Sequence, residues 1–241
     1  MLVLAAGCRI GFDPMDCHPG AVFCDDFERT VPIPSSPTPW ETVNCDDPMA
    51  TLAVDGRLAI DTPASASALP CELTSAPTIE GSRFQLAFDF EVESGLDGDF
   101  VIVAELDMRL PAPNAAGIQR ELIQLLVTPD RQANLSLVHF YPDESRSPNG
   151  MSFPGYDLAD SDGAPWLSGP CRVMIDVDTI SGRAEVLGAC DDGLRALTRR
   201  DFSRPTGIAG SPVVSFGLYD LDPPSVRWSL RYDNVEFRAD P

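Results

Sequence analysis

The chain has 241 residues, of which 37 are Asp or Glu and 17 are Lys or Arg, so its formal net charge at pH 7 is −20. No Lys occurs, and hydrophobic residues make up 44% of the chain, which is typical of a globular protein and not of a disordered acidic tail. The charge excludes nucleic acid and anionic lipid headgroups as electrostatic partners, because both are bound through an excess of basic residues.

The first eight residues, MLVLAAGC, form an apolar run that ends in two small residues before Cys8. This stretch resembles the lipobox of bacterial lipoproteins, in which the cysteine thiol receives a diacylglycerol group. The run is shorter than a full signal peptide, which a start codon further upstream would explain. The resemblance implies a signal remnant over residues 1–8, a tether over residues 9–20, and a lipid-anchored protein of the cell envelope, at the outer membrane or cell surface. The alternative is a chance apolar N-terminus with a free or buried cysteine.

After the tether, apolar and polar residues alternate with a period of two, which predicts half-buried β-strands. The predicted strands cover residues 42–45, 57–61, 84–92, 104–110, 121–127, 133–141, 173–177, 213–219 and 226–237. A phase slip at Asp233-Asn234 predicts a β-bulge, and residues 192–200 predict a turn or two of helix. So many strands in a chain of this length predict one all-β domain over residues 21–238, built as a two-sheet antiparallel β-sandwich.

The odd number of cysteines supports export, because six remain if Cys8 carries a lipid, and an even set suits disulfides. These six are Cys17, Cys24, Cys45, Cys71, Cys171 and Cys190. Residues 171–190 are typical of a hairpin, and a turn centred on Ile180-Ser181 places Cys171 opposite Cys190. The other pairings stay open, with neighbours along the chain favoured.

The two ends of the domain carry short motifs, Phe-Cys-Asp-Asp-Phe-Glu at residues 23–28 and Tyr-Asp-Asn-Val-Glu-Phe at residues 232–237. Together with Trp40 they resemble the LamG-like domains of the concanavalin A-like superfamily. The resemblance implies a jelly roll whose first and last strands are neighbours. That neighbourhood would bring together four oxygen-bearing residues, Asp25, Asp26, Asp233 and Asn234. Ordinary Asp turn chemistry is the main interpretation, so no cofactor is expected. A structural Ca²⁺ held by these four residues is the alternative.

The segment Glu105-Leu-Asp-Met-Arg109 resembles the E-x-D-x-(x)-E signature of laminarinase-type glucanases, whose first Glu is the nucleophile and whose last Glu is the acid/base. Period two places Glu105 and Asp107 on one face of a strand. Arg109 occupies the acid/base position and has no proton to exchange near neutral pH, so Glu105 and Asp107 are weak catalytic candidates. A lyase would use His, Tyr and Arg to neutralise a uronate and abstract its proton, and no spacing singles out such a set.

These observations predict a monomeric envelope lipoprotein that acts as a non-catalytic binding or adhesion module for carbohydrate or another surface polymer. It would contact the membrane through its lipid anchor only. The predicted ligand-binding residues are Glu105, Asp107, Arg109, His139, Tyr141 and Trp166. The alternatives are a glycoside hydrolase or polysaccharide lyase on the same fold, or a structural envelope protein.

Overall fold

The computed structural model describes residues 17–28, 39–44, 51–54, 56–61, 71–77, 79–95, 100–111, 118–127, 133–140, 169–189, 195–201, 210–222 and 228–240. In parts of several strands it describes the backbone but not the side chains. The described ranges contain fourteen strands. In chain order these are β1 (Ala21–Asp25), β2 (Thr42–Asn44), β3 (Thr51–Val54), β4 (Leu58–Asp61), β5 (Cys71–Ser75), β6 (Arg83–Gly95), β7 (Phe100–Pro111), β8 (Ile118–Val127), β9 (Ala133–Phe140), β10 (Cys171–Asp178), β11 (Arg183–Ala189), β12 (Arg195–Asp201), β13 (Gly210–Asp222) and β14 (Trp228–Asp240).

The strands form two antiparallel sheets. The eight-stranded sheet has the order β12-β11-β10-β6-β14-β4-β3, with β1 also paired to β14, and the six-stranded sheet has the order β2-β5-β13-β7-β8-β9. The first and last strands are therefore neighbours, with Asp25 opposite Val235. The prediction of an all-β, two-sheet antiparallel β-sandwich is confirmed.

The core lies between the two sheets and is dense in aromatic rings. Phe88 of the eight-stranded sheet meets Phe216 of the six-stranded sheet edge to face, with ring centroids 4.9 Å apart. Both side chains are fully buried, as is Tyr232 beside them. Burying a side chain of this size stabilises the fold by about 1.5–3 kcal/mol, so the alternating strands are held together chiefly through this layer.

The hairpin of β10 and β11 has the predicted register, because Arg172 lies opposite Ala189. Asp178 Oδ1 accepts hydrogen bonds from the backbone N–H groups of Ile180 and Ser181 at 2.9 and 3.0 Å. These bonds to the ionised carboxylate lower the pKa of Asp178. A side chain that caps its own turn in this way fixes the hairpin.

Two segments of the cysteine framework fall within the described residues. Cys17 and Cys24 form a disulfide with their Cα atoms 6.0 Å apart, which joins the chain before β1 to β1 itself. Cys171 is also disulfide-bonded. Cys8, Cys45 and Cys190 lie outside the described residues, and only the backbone of Cys71 is described.

The prediction of a helical turn at residues 192–200 is wrong. Residues 195–201 form β12, which pairs with β11 along its length and sets Arg199 opposite Glu185. Pairing with a neighbouring strand overrides the weak local preference of this polar segment. The bulge predicted near Asp233 is confirmed, since the pairing of β14 with β6 shifts between Asp233 and Glu236.

Candidate functional site

The candidate calcium ligands at the ends of the domain make hydrogen bonds within the protein. Asp25 is buried and accepts hydrogen bonds from the Phe27 backbone N–H at 2.9 Å and from Trp40 Nε1 at 2.7 Å. Asp26 caps the next turn by accepting the Glu28 backbone N–H at 3.1 Å. Both carboxylates therefore order the chain that follows β1.

The other two predicted calcium ligands lie in the β14 bulge, on the outer face of the eight-stranded sheet. Asn234 donates to Asp89 Oδ2 at 2.7 Å, and its backbone N–H donates to Asp233 Oδ1 at 2.8 Å. Asn234 has φ 47°, a left-handed conformation that Asn tolerates better than most residues. Within the described residues, no group of three or more His, Cys, Asp or Glu side chains is arranged to hold a metal ion.

Asp233 is the carboxyl group whose proton affinity this face changes most clearly. The pKa of Asp233 is raised to about 6, chiefly by burial and also by the Asp89 carboxylate on the neighbouring strand, against the lowering effects of the Asn234 N–H and of Arg57. Arg57 Nε is 3.8 Å from Asp233 Oδ2 and Arg57 Nη1 is 3.5 Å from Glu91. The same face carries further Arg–carboxylate pairs, such as Arg172 with Asp89 at 3.0 Å. The arginines named on this face are therefore paired with carboxylates of neighbouring strands.

The outer face of the six-stranded sheet, here called the groove face, carries a row of polar side chains across four neighbouring strands. Thr74 of β5 lies opposite Ser215 of β13, which lies opposite Glu105 of β7, which lies opposite Gln124 of β8. We call these four residues the central polar row. Ser215 is 4% exposed and Gln124 is 9% exposed, although both lie on the face that points away from the sandwich core. The row is thus a sheltered polar floor.

Glu105 and Gln124 contact each other directly within this row. Gln124 Nε2 donates to Glu105 Oε2 at 2.7 Å. Asp107 lies two residues further along β7, on the same face of the sheet as Glu105, and is 4% exposed. A buried polar group must be hydrogen-bonded to be tolerated, so these side chains are held in fixed orientations.

The next ladder row on the groove face is apolar. Ile102 and Leu126 are opposite each other and form a small hydrophobic cluster separate from the main core. Tyr219 of β13 lies opposite Ile102 in the ladder. The register therefore sets a tyrosine position beside an apolar pair and next to the central polar row.

The remaining predicted site residues are distributed differently. Arg109 lies opposite Arg120 in the β7–β8 ladder, in the phase of Glu105 and Asp107. His139 lies opposite Glu121 in β9, in the opposite phase, so the register does not bring it to the groove face. Tyr141 and Trp166 lie outside the described residues.

Sequence reasoning missed Gln124, Ser215 and Tyr219. Gln124 had a local signal, because it is a single polar residue inside the apolar run Leu122–Val127. Ser215 and Tyr219 had none, since their proximity to Glu105 depends on which strands pair and in which register. No helix long and apolar enough to span a membrane occurs in the described part of the chain.

Comparison with known proteins identifies relatives of the fold. No protein-family model and no curated protein matches the chain. Among solved structures, alginate lyase vAL-1 from Chlorella virus matches with a TM-score of 0.54 and 12% identity, over 83% of this chain and 93% of its own. Alginate lyase A1-II′, a member of polysaccharide lyase family 7, matches with a TM-score of 0.53 and 14% identity, over 80% of this chain and 85% of its own. Alginate lyase Aly36B, as a mutant in complex with alginate tetrasaccharide, matches with a TM-score of 0.51 and 15% identity, over 79% and 83% of the two chains.

These matches support the jelly-roll β-sandwich and correct the predicted function. The sequence favoured a non-catalytic binding or adhesion module and gave a polysaccharide lyase as an alternative. That order is wrong, because the solved structures matched above are lyases. The glucanase motif argued against catalysis because Arg109 replaces its second carboxylate. That argument applies to hydrolysis, whereas elimination does not need this carboxylate.

Proposed function

We propose that this protein is a polysaccharide lyase that binds a uronate-containing chain on the groove face and cleaves it by β-elimination. The observation that carries the proposal is the central polar row, where sheltered hydrogen-bonding side chains lie at the middle of a face that the core does not use. A small number of convergent polar groups is what fixes the orientation of a ligand in most binding sites. The fold shared with alginate lyases supports the same conclusion.

Elimination from a uronate requires two tasks of the protein. A hydrogen-bond donor must neutralise the carboxylate, so that the neighbouring C5 proton becomes acidic enough to remove, and a base must take that proton. The electron pair of the C–H bond then forms the C4–C5 double bond, the C4–O bond breaks, and the leaving oxygen accepts a proton. Water is not consumed, so a nucleophile and its second carboxyl group are unnecessary.

Gln124 suits the donor task. Its amide has two N–H groups, one of which is donated to Glu105 at 2.7 Å. The second remains to bind a substrate carboxylate, and the bond to Glu105 fixes the direction in which it points. A donor that is oriented before the reaction stabilises developing charge more effectively than a mobile one.

Tyr219 suits the proton-transfer task. The chain has no Lys and two His, and the ladder phase of His139 differs from that of Glu105. Tyr219 lies opposite Ile102 of β7, one ladder row from the row that contains Gln124 of β8. A phenol can act as base in its ionised form and return the proton to the leaving oxygen, since one group then performs both steps.

The test measures degradation of alginate, polygalacturonate, hyaluronan and glucuronan by the ultraviolet absorbance of the unsaturated uronate that elimination creates. We expect activity on at least one polymer, loss of at least about a hundredfold in kcat for Tyr219→Phe and for Gln124→Ala, and wild-type activity for Ile180→Ser. Ile180 is 64% exposed at the tip of the β10–β11 hairpin and serves as the surface control. New reducing ends without ultraviolet absorbance, abolished by Glu105→Gln, would identify a glycoside hydrolase and refute the lyase.

We also propose that the protein is tethered to the bacterial envelope through a lipid on Cys8. The lipobox-like sequence and the even number of remaining cysteines support this. Mass spectrometry of the protein from native membranes should find a diacylglyceryl-modified Cys8 at the N-terminus. A free Cys8 thiol in that fraction would contradict the tether.

A further inference from the structure

We infer that Tyr232, from inside the core, is a positioning residue for the groove face: its hydroxyl holds the two strand irregularities that set Tyr219 opposite Ile102. The effect on turnover rests on the proposed lyase function. The effect on strand register does not, and the two can be measured separately.

The first irregularity lies between β13 and β7. Phe216 is opposite Ala104, and the next pair is Tyr219 with Ile102. β13 thus advances three residues while β7 advances two. Gly217, within this step, has φ 148°, a backbone conformation that residues with a Cβ rarely adopt.

The second irregularity lies between β7 and β8, at the same place. Ala104 is opposite Leu125, and Ile102 is opposite Leu126, so Val103 is the additional residue of a β-bulge. Bulges re-aim the residues that follow them and are common beside active sites. The irregular steps of β13 and β7 are therefore adjacent, and both end at the ladder row of Tyr219 and Ile102.

The extra residue in β13 decides which residue of β7 lies opposite the tyrosine position. Regular pairing beyond Phe216 and Ala104 would set Leu218 opposite Ile102 and Tyr219 opposite Val101. The observed pairing sets Tyr219 opposite Ile102 instead. Tyr219 has the strand phase of Ser215, four residues before it, and the bulge at Val103 brings Ile102 of β7 into that same phase. The pairing of Tyr219 with Ile102, next to the central polar row, therefore depends on the two irregularities.

Tyr232 reaches both irregular steps from the opposite sheet. It belongs to β14, is fully buried, and its hydroxyl oxygen is 2.6 Å from the Gly217 carbonyl oxygen and 2.9 Å from that of Val103. A phenol has one O–H, so this donor is shared between the two carbonyl groups. Burial raises the pKa of Tyr232 well above its usual value, which keeps the donor proton in place.

The ring of Tyr232 is held by three aromatic neighbours. Its centroid is 6.1 Å from that of Phe88, 5.2 Å from that of Phe90 and 5.8 Å from that of Phe216. The surrounding main cluster is built from apolar side chains. The ring is therefore fixed by packing, and its one polar group, the hydroxyl, contacts both irregular steps of the other sheet.

The test uses Tyr232→Phe, which keeps the ring and removes the hydroxyl. We expect a folded protein in which amide hydrogen exchange of residues 101–104 and 217–219 rises about tenfold relative to the rest of the two sheets, because two buried carbonyl groups lose their donor. We also expect kcat on the best polymer to fall about tenfold with KM within about twofold, since substrate binding elsewhere on the face is retained.

Phe84→Leu is the matched control. Phe84 is fully buried in the same core and stacks on Phe237, but it lies near the N-terminal end of β6 and not at the two irregular steps. It should lower stability without the local rise in exchange. Gly217→Ala is a second probe of the same step and should reproduce the local rise, since alanine does not suit its φ. Unchanged local exchange in either Tyr232→Phe or Gly217→Ala overturns the inference. If wild-type protein degrades no polymer, the lyase proposal fails while the exchange data still decide the role of Tyr232.

Discussion

The Asp233 carboxyl group should lower the free energy of unfolding as pH rises from mildly acidic to neutral. A variant that lacks this carboxyl group should not show this loss. Its pKa is about 6 in the folded chain and 3.8 as an ordinary value, so between these values the folded state binds more protons than the unfolded state. The free energy of unfolding then falls as pH rises through that window. The perturbation that tests this is Asp233→Asn, which keeps an oxygen to accept the Asn234 N–H.

The magnitude follows from the two pKa values. One pKa unit corresponds to about 1.4 kcal/mol, so the full difference sets an upper bound of about 3 kcal/mol. The side chain of Asp233 is 18% exposed, and solvent screening lowers the expectation to about 1–2 kcal/mol. Losing the 3.8 Å contact with Arg57, itself 41% exposed, offsets only about 0.5 kcal/mol of this.

The assay is urea denaturation followed by tryptophan fluorescence at several pH values between about 4.5 and 7.5, a range that spans the pKa of Asp233. Because the acidic end already lies above the ordinary pKa of 3.8, the free energy of unfolding of Asp233→Asn should rise relative to that of the wild type by about 1 kcal/mol from the acidic to the neutral end. Asp178→Asn is the control, because the pKa of Asp178 is lowered by the hydrogen bonds of its turn. Its cost should be constant over this range, which lies above both its folded and its unfolded pKa. A difference between Asp233→Asn and wild type that does not change with pH would refute the reasoning.

Two further substitutions test how the ends of the domain are held. Trp40→Phe should lower the free energy of unfolding by about 1–3 kcal/mol, because the buried Asp25 carboxylate loses the indole N–H that it accepts at 2.7 Å. Chemical denaturation measures this loss, and a loss under about 0.5 kcal/mol would contradict the prediction. Gly81→Ala should lower the free energy of unfolding by about 1–3 kcal/mol, because its new Cβ would lie 2.6 Å from the Asp240 carbonyl oxygen. An unchanged melting temperature would contradict this, since it would mean that the end of β14 moves away without loss of stability.

The long, strongly alternating strands could be predicted from the sequence because their pattern is local. Val173, Ile175 and Val177 repeat every second residue, and the hairpin after them has a turn that fixes its register. The short strands β3 and β5 could not be predicted in the same way. They have four and five residues, and they are strands because β4 and β13 pair with them, which no local pattern specifies.

The candidate site was predictable only in part, for a related physical reason. Period two alone puts Glu105 and Asp107 on one face of β7. The contact of Glu105 with Gln124 requires the register of β7 on β8, and the pairing of Tyr219 with Ile102 requires an extra residue in β13. Likewise, an aspartate has the same sequence pattern whether it binds a cation or caps a turn. The hydrogen bond between Trp40 and Asp25 joins residues 15 apart in the chain, and the local pattern does not specify it.

The central claim is that the groove face breaks a uronate polysaccharide by elimination, and the masses of the products test it most directly. The purified protein should convert a uronate polymer into oligosaccharides whose new non-reducing ends are lighter by one water than hydrolysis products, and Gln124→Ala should lose this activity while remaining folded. Products with hydrated ends, or a Gln124→Ala variant as active as wild type, would contradict the account.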